Sequence, residues 1–287
     1  MIALVGMLAC SASQDGFEFE ERLIVDSSRP LEEFGAQPAS DAREILLYTW
    51  SGSGEDVADR PLVLIAHGVD GHPDKFQTFA TELTDRGYFV GAIAFPSTNR
   101  DALAGYAGLG DLPNQPGDLA ATVDYLSAAV TDRSDSFYRR FDPETIGVIG
   151  HSLGAATVMG WTRFDCCRTD RADAVVLLST PQTLGVVFGE GPDAIGPPTL
   201  LAHGLDDQTV TWEETQTFAA EIDELATVYL TGVGHSEAIE GGGDQPAREH
   251  FRTLVDGLFR EQLLGEEGAL SEVLADSMYV DDEVQVD

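Results

Sequence analysis

Lysine is almost absent from this sequence of 287 residues. Lys75 is the only one, arginine supplies the other basic residues, and 16 basic side chains face 50 acidic ones. The formal net charge of −34 repels phosphate backbones and excludes nucleic acid as a partner. An acidic excess with so little lysine fits a protein kept soluble in high salt. GC-rich codon usage gives the same bias, and loss of activity on desalting is the outcome that separates the two. Cysteine is scarce as well. Three are too few for a disulfide framework, and because a bridge between neighbours is strained and uncommon, adjacent Cys166 and Cys167 are expected to be thiols. Beyond Cys10 no apolar run approaches the ~20 residues that a membrane span needs. No metal-ligand spacing, internal repeat or low-complexity block occurs, so neither a metal nor an organic cofactor is expected.

What the sequence does contain begins with MIALVGMLAC, Met1 to Cys10, an apolar stretch that ends at a cysteine and runs into the polar SASQDG. It resembles the end of a bacterial lipoprotein signal, in which Cys10 becomes a lipidated, membrane-anchored N-terminus. An ordinary secretory signal and a disordered start are the alternatives, and either signal implies export to the envelope or beyond. Residues 1–16 are therefore read as signal and tether, 17–264 as one catalytic domain, and 265–287 as an acidic tail in which Leu270 to Leu274 can form a short helix. A monomer is expected.

Phe17 to Val25 and Glu44 to Trp50 alternate apolar and polar residues, the pattern of half-buried strands on an antiparallel edge. From Pro61 the pattern changes to continuous β-rich runs at Leu62–Ala66, Tyr88–Ala94, Ile146–Ile149, Ala174–Leu178, Thr199–Ala202 and Thr227–Leu230. Helical stretches lie between them: Phe76–Arg86, Gly117–Val130, one from Ser152, Trp212–Glu224 and Pro246–Leu264. Strand alternating with helix over this length implies an α/β fold with a mostly parallel, doubly wound sheet. Only Ser179 to Pro198 separate two of the strands, too few residues for a large cap domain. That loop and Pro96 to Pro116 are expected to rim an open site.

Gly150-His151-Ser152-Leu153-Gly154 is a G-x-S-x-G pentapeptide placed between a β run and a helical run. In that context the serine hydroxyl stands at the tip of a tight turn, at the head of a helix whose dipole favours negative charge. A serine at its free pKa is a weak nucleophile and needs a base, for which histidine has a suitable pKa. Of the six histidines, His235 sits in a glycine-rich loop after the last strand; His151 merely fills the elbow, and His72 and His250 lie on segments that read as surface. The loop after Thr199–His203 carries two adjacent carboxylates. This loop resembles the commoner form seen in the α/β-hydrolase fold, H-G-x-x-D followed by x-x-V, and that resemblance implies Asp207 as the group that orients the imidazole, leaving Asp206 as the alternative or as a cap for the next helix. The order Ser152, Asp207, His235 is that of the α/β-hydrolase fold. The backbone donors for an oxyanion are expected at Leu153, after the nucleophile, and at Val69 in His67-Gly68-Val69-Asp70-Gly71.

These residues resemble the ester-hydrolase branch that includes platelet-activating-factor acetylhydrolases, chlorophyllase-like proteins and dienelactone-hydrolase-related proteins. The resemblance runs from about Glu21 to Arg260. It takes in Asp26 to Pro30 (DSSRP), Tyr48-Thr49-Trp50, His67-Gly68 with Gly71 and Phe76, Leu83 with Arg86-Gly87-Tyr88, Asp118, and Asp142-Pro143 before the elbow. The elbow is also similar to that of cutinase-type polyester hydrolases. The resemblance implies cleavage of a small-molecule, lipid or polymeric ester through an acyl-enzyme intermediate. Two departures matter. Ser152 stands where dienelactone hydrolases have cysteine, and Val69 stands where polyester hydrolases have an aromatic residue. Tyr106, Trp161, Phe188 and Trp212 are expected mainly to pack. A cofactor-free haloperoxidase or acyltransferase, and an inactive envelope binding protein, are the readings from other classes.

Overall fold

The computed structural model describes residues 12–14, 17–52, 59–182, 187–189, 192, 195–222, 225–240, 246–275 and 284–286. The expected signal ending at Cys10 lies outside them. The chain divides into two compact units, Met1–Glu144 and Thr145–Asp287.

In the first unit the strands are β1 (Ala12–Gln14), β2 (Phe17–Asp26), β3 (Arg43–Gly52), β4 (Pro61–Ala66) and β5 (Phe89–Ala94), in the spatial order β1-β2-β3-β5-β4. β1, β2, β3 and β5 pair antiparallel in succession, while β4 and β5 are parallel. The antiparallel edge thus reaches one strand further than the alternating pattern indicated, because β1 comes from the expected tether. β4 and β5 are buried along their whole length, as continuous apolar runs covered on both faces must be. Helices α1 (Gln77–Asp85) and α2 (Gln115–Ala129) pack on this sheet. Pro96 to Pro116, expected as a loop, contains a 3-10 helix at Gly105–Asn114.

Its place is fixed by a buried ionic cluster. Arg43 donates from Nε and Nη2 to Asp118, at 2.7 Å each, and from Nη1 and Nη2 to Asp111, at 2.9 and 2.8 Å. Arg29 joins the same Asp118 at 2.8 Å and turns its Nε to Asp26 at 2.6 Å. The DSSRP segment and Asp118 therefore carry a shared structural task. Burial works against the Arg43 charge, yet the two carboxylates outweigh it and hold the guanidinium above its ordinary value.

In the second unit β6 (Asp142–His151), β7 (Ala174–Leu178), β8 (Thr199–Gly204) and β9 (Leu225–Leu230) are parallel in that order. β10 (Val284–Val286) adds antiparallel to β9. Around them stand α3 (Leu153–Arg163), α4 (Trp212–Ala219), α5 (Pro246–Leu263) and α6 (Ala269–Ala275). Every residue of α3 is buried, which is why its sequence is mostly apolar all round rather than amphipathic, with Thr157, Thr162 and Arg163 as its polar residues. The expected acidic tail thus supplies both a helix against α5 and a closing strand. Val284-Gln285-Val286 is too short for a period to show.

Three expectations are corrected. Cys166 and Cys167 form a vicinal disulfide, in a turn that follows α3 and brings their side chains together. His72 and His250 are buried: His72 caps the short turn of helix at Pro73–Phe76 and stands edge-on to Tyr48, and His250 lies on the inner face of α5. Among the aromatics, Trp161 and Phe188 pack as expected, but Tyr106 and Trp212 are 80% and 39% exposed.

Candidate active site

β6 enters the elbow straight and α3 leaves it, so the turn between them has a single residue, Ser152, in which to reverse. Its φ is +54° and its ψ −123°, a conformation that non-glycine residues adopt only where the surroundings enforce it. Gly150 makes room: a Cβ there would lie 2.5 Å from Ala155 Cα and 2.7 Å from the Gly154 carbonyl. The Ser152 N–H donates to the Leu178 carbonyl at the end of β7, and its own carbonyl receives the Ala155 N–H at 2.9 Å. Leu153 is the first residue of α3, where helix N–H groups have no carbonyl of the same helix to meet.

The structure brings Ser152, His235 and Asp207 together. His235 Nε2 lies 2.9 Å from Ser152 Oγ, and its Nδ1 lies 2.7 Å from Asp207 Oδ2. The other Asp207 oxygen accepts the Thr209 and Val210 N–H groups at 2.8 and 3.0 Å. Burial pushes the Asp207 carboxyl up, but the hydrogen bonds from His235, Val210 and Thr209 outweigh it and leave it below the usual carboxylate range. An ionised carboxylate only accepts, so Nδ1 carries the proton and Nε2 presents its lone pair to the serine hydroxyl. Asp206 is exposed and takes no part; its N–H donates to the Val233 carbonyl. Nor does it cap the next helix, a task performed by Thr211 and Glu214 as a reciprocal capping box on α4.

Two histidines that the sequence reading passed over line this arrangement. His203, at the end of β8, has Nε2 3.9 Å from Asp207 Oδ2 and Nδ1 2.9 Å from Thr215 Oγ1. Burial holds it below its ordinary pKa despite the neighbouring Asp207, so it backs the carboxylate as a neutral ring. His151, read as the filler of the elbow, places Nε2 2.8 Å from the His235 carbonyl. No local pattern signals the His151 contact, which joins residues 84 positions apart; His203 stands only four positions before Asp207, but its burial beside the carboxylate is decided by what packs over it.

In the first unit Val69 lies half-buried in a turn that follows β4, closed by the Gly71 N–H donating to the Gly68 carbonyl at 3.1 Å. The Asp70 N–H donates to the Thr98 carbonyl at 3.0 Å. His67 organises the turn from below: its Nδ1 donates to the Gly68 carbonyl at 2.6 Å, and its Nε2 accepts the Phe95 N–H at 3.0 Å. Both ring nitrogens are thus committed to a neutral imidazole, and burial pushes its pKa down to about 4. In the unfolded chain the ring takes up a proton near its ordinary value of 6.5, so stability is complete above that pH and falls as the pH drops from there towards 4. The expected loss between pH 7 and pH 5 is about 2 kcal/mol from this residue. Urea melts at the two pH values check it: His67→Gln should show a slope smaller by that amount, and an unchanged slope would contradict the assignment.

By sequence alone, no protein-family model and no curated protein matches the chain. Solved structures do match it in three dimensions. A ferulic acid esterase from Streptomyces cinnamoneus superposes with a TM-score of 0.67 over 96% of this chain and 98% of its own, at 18% identity. Esterase 2 of the Planctomycetes species Thermogutta terrifontis, with propionate bound, superposes with a TM-score of 0.57 over 76% of this chain and 89% of its own, also at 18% identity. The same esterase phosphoramylated by tabun gives 0.59 over 83% and 94%, again at 18% identity. With its strand order, elbow and matches of this extent, the chain has the α/β-hydrolase fold.

Proposed function

We propose that the chain is a serine hydrolase of carboxylic esters. The observation that carries this reading is the continuous hydrogen-bonded line from Ser152 Oγ through the His235 ring to a buried, ionised Asp207. Esterase activity in the structural neighbours' names points the same way.

In the first step Ser152 Oγ attacks the ester carbonyl carbon while its proton passes to His235 Nε2. The carbonyl π pair moves onto oxygen, and the resulting oxyanion is assigned to the amide of Leu153, at the head of α3. Collapse of this intermediate breaks the bond to the leaving alcohol, which takes the proton from His235, and an acyl-Ser152 ester remains. Water then attacks that ester, giving its proton to His235, and the second collapse returns the proton to Ser152 and releases the acid. Asp207 stays ionised throughout and stabilises the imidazolium. Export as a lipoprotein through Cys10 completes the proposal, on the strength of the MIALVGMLAC stretch; incorporation of labelled palmitate that is lost in Cys10→Ser tests it.

A chain-length series of p-nitrophenyl esters, run beside a phospholipid and a polyester film, tests the reaction. The expected result is a rapid burst of p-nitrophenol equal to the enzyme concentration, followed by a slower steady rate, with the free acid as product. Product that appears only when a halide or an acceptor alcohol is added would assign the chain to the haloperoxidase or acyltransferase class instead.

A further inference from the structure

The geometry points to His151 and Ser179 as positioning residues for the catalytic histidine, an inference that rests on the reading of Ser152 and His235 given above. His235 stands in the irregular residues 231–240 that follow β9, so no helix or strand ladder holds its backbone. Its carbonyl is nevertheless gripped twice. His151 Nε2 lies 2.8 Å from it, and Ser179 Oγ donates to it at 3.3 Å. A carbonyl oxygen only accepts, so the His151 proton sits on Nε2. The two imidazole ring centroids lie 4.8 Å apart, with their planes tilted by 52°. His151 Nδ1 comes within 3.8 Å of Glu240 Oε1, at the far end of the same irregular stretch.

Both donors stand on rigid ground. His151 ends β6 and Ser179 follows β7 directly, and both are buried. Ser179 has a φ of +53°, alongside +54° at Ser152. Two non-glycine residues in the left-handed region, both in hydrogen-bond contact with one histidine, mark strain retained where geometry is exacting. The strand ends are also tied to one another: the Ser152 N–H donates to the Leu178 carbonyl, and the Ser179 N–H to the Ala202 carbonyl.

The consequence is a short mechanical path between nucleophile and base. His151 is the residue before Ser152, so the segment that sets the hydroxyl also sets the backbone of the group that takes its proton. Without the grip, the His235 ring keeps its bond to Asp207 but gains freedom to drift from Ser152 Oγ. Misplacement of a reacting group by about 1 Å can cost about 100-fold in rate, and supporting hydrogen bonds are what prevent such drift.

The test uses the full chain with His151→Leu, His151→Gln and Ser179→Ala, read by steady-state kinetics on p-nitrophenyl acetate and by the rate at which a fluorophosphonate labels Ser152. His151→Leu is expected to lower kcat about 10- to 100-fold, with KM within about twofold and the labelling rate reduced by the same factor as kcat. Glutamine can return a donor to the carbonyl, so His151→Gln should recover to within about fivefold of the unmodified chain. Ser179→Ala should lower kcat about threefold, in keeping with its longer bond. Unmodified kcat and labelling in folded His151→Leu would overturn the inference, as would a glutamine variant as slow as leucine at equal Tm. If His151→Leu does not fold, the remaining variants decide: recovery in His151→Gln with slowing in Ser179→Ala supports the inference, and unmodified kcat in Ser179→Ala overturns it. Failure to label Ser152 in the unmodified chain overturns the hydrolase reading and this inference with it; normal labelling with indifferent variants overturns the positioning role alone.

Discussion

Asparagine at position 207 is expected to lower kcat for ester hydrolysis by about 10⁴, the order of loss that follows when the imidazole is held in the wrong tautomer. The hydrogen bonds around the side chain dictate this outcome. Asp207 Oδ1 accepts two backbone N–H groups, from Thr209 and Val210. An asparagine must keep its carbonyl oxygen there, because its NH₂ cannot face two donors. The NH₂ is then turned towards His235 Nδ1, which can meet it only as an acceptor. The ring proton moves to Nε2, where it confronts Ser152 Oγ and removes the lone pair that would take the serine proton. KM should change little, since Asp207 is fully buried and remote from solvent. Asp206→Asn, at an exposed position, should leave kcat within about twofold. Kinetics of the two variants side by side check the choice between the aspartates. Equal losses in both, or a larger loss at 206, would contradict it.

The largest effect on stability is expected from Arg43→Met. Arg43 is 1% exposed and Asp111 and Asp118 are fully buried, and four charge-assisted hydrogen bonds join them. Methionine fills comparable volume and leaves both carboxylates in the interior, with only Arg29 still reaching Asp118. Breaking one partner out of a buried ionic cluster costs about 3–5 kcal/mol, a large part of a typical total. Chemical denaturation should show this loss at neutral pH. Replacing all three residues together, Arg43→Met with Asp111→Leu and Asp118→Leu, should destabilise less than Arg43→Met alone, since no charge is then stranded. A single variant as stable as the unmodified chain would show that the cluster is not the fastening of the Gly105–Asn114 segment.

What could be read from the sequence is what the chemistry encodes locally. The elbow is five contiguous residues whose glycines are forced by one tight turn and whose serine is set by the need for a nucleophile, and buried parallel strands announce themselves as continuous apolar runs. The loop carrying Asp207 was legible for a similar reason, because a short motif fixes which of two carboxylates turns inward. Contacts made at a distance were not legible. His151 meets the His235 carbonyl across 84 positions of sequence, and Arg43 meets Asp118 across 75; neither leaves a period or a spacing to detect. The DSSRP segment could be recognised, but its task could not, because that depends on which arginine reaches which aspartate in three dimensions. His72 and His250 looked like surface residues because their neighbours are polar, and burial is decided by what packs over them. The vicinal Cys166–Cys167 bridge went against a general expectation that concerns typical turns rather than this one.

Mass spectrometry of the chain after reaction with a fluorophosphonate tests the central claim most directly. The account predicts one adduct per chain, on the peptide that contains Ser152, with no adduct and no ester turnover in Ser152→Ala. Labelling at another residue, or full turnover by Ser152→Ala, would contradict it.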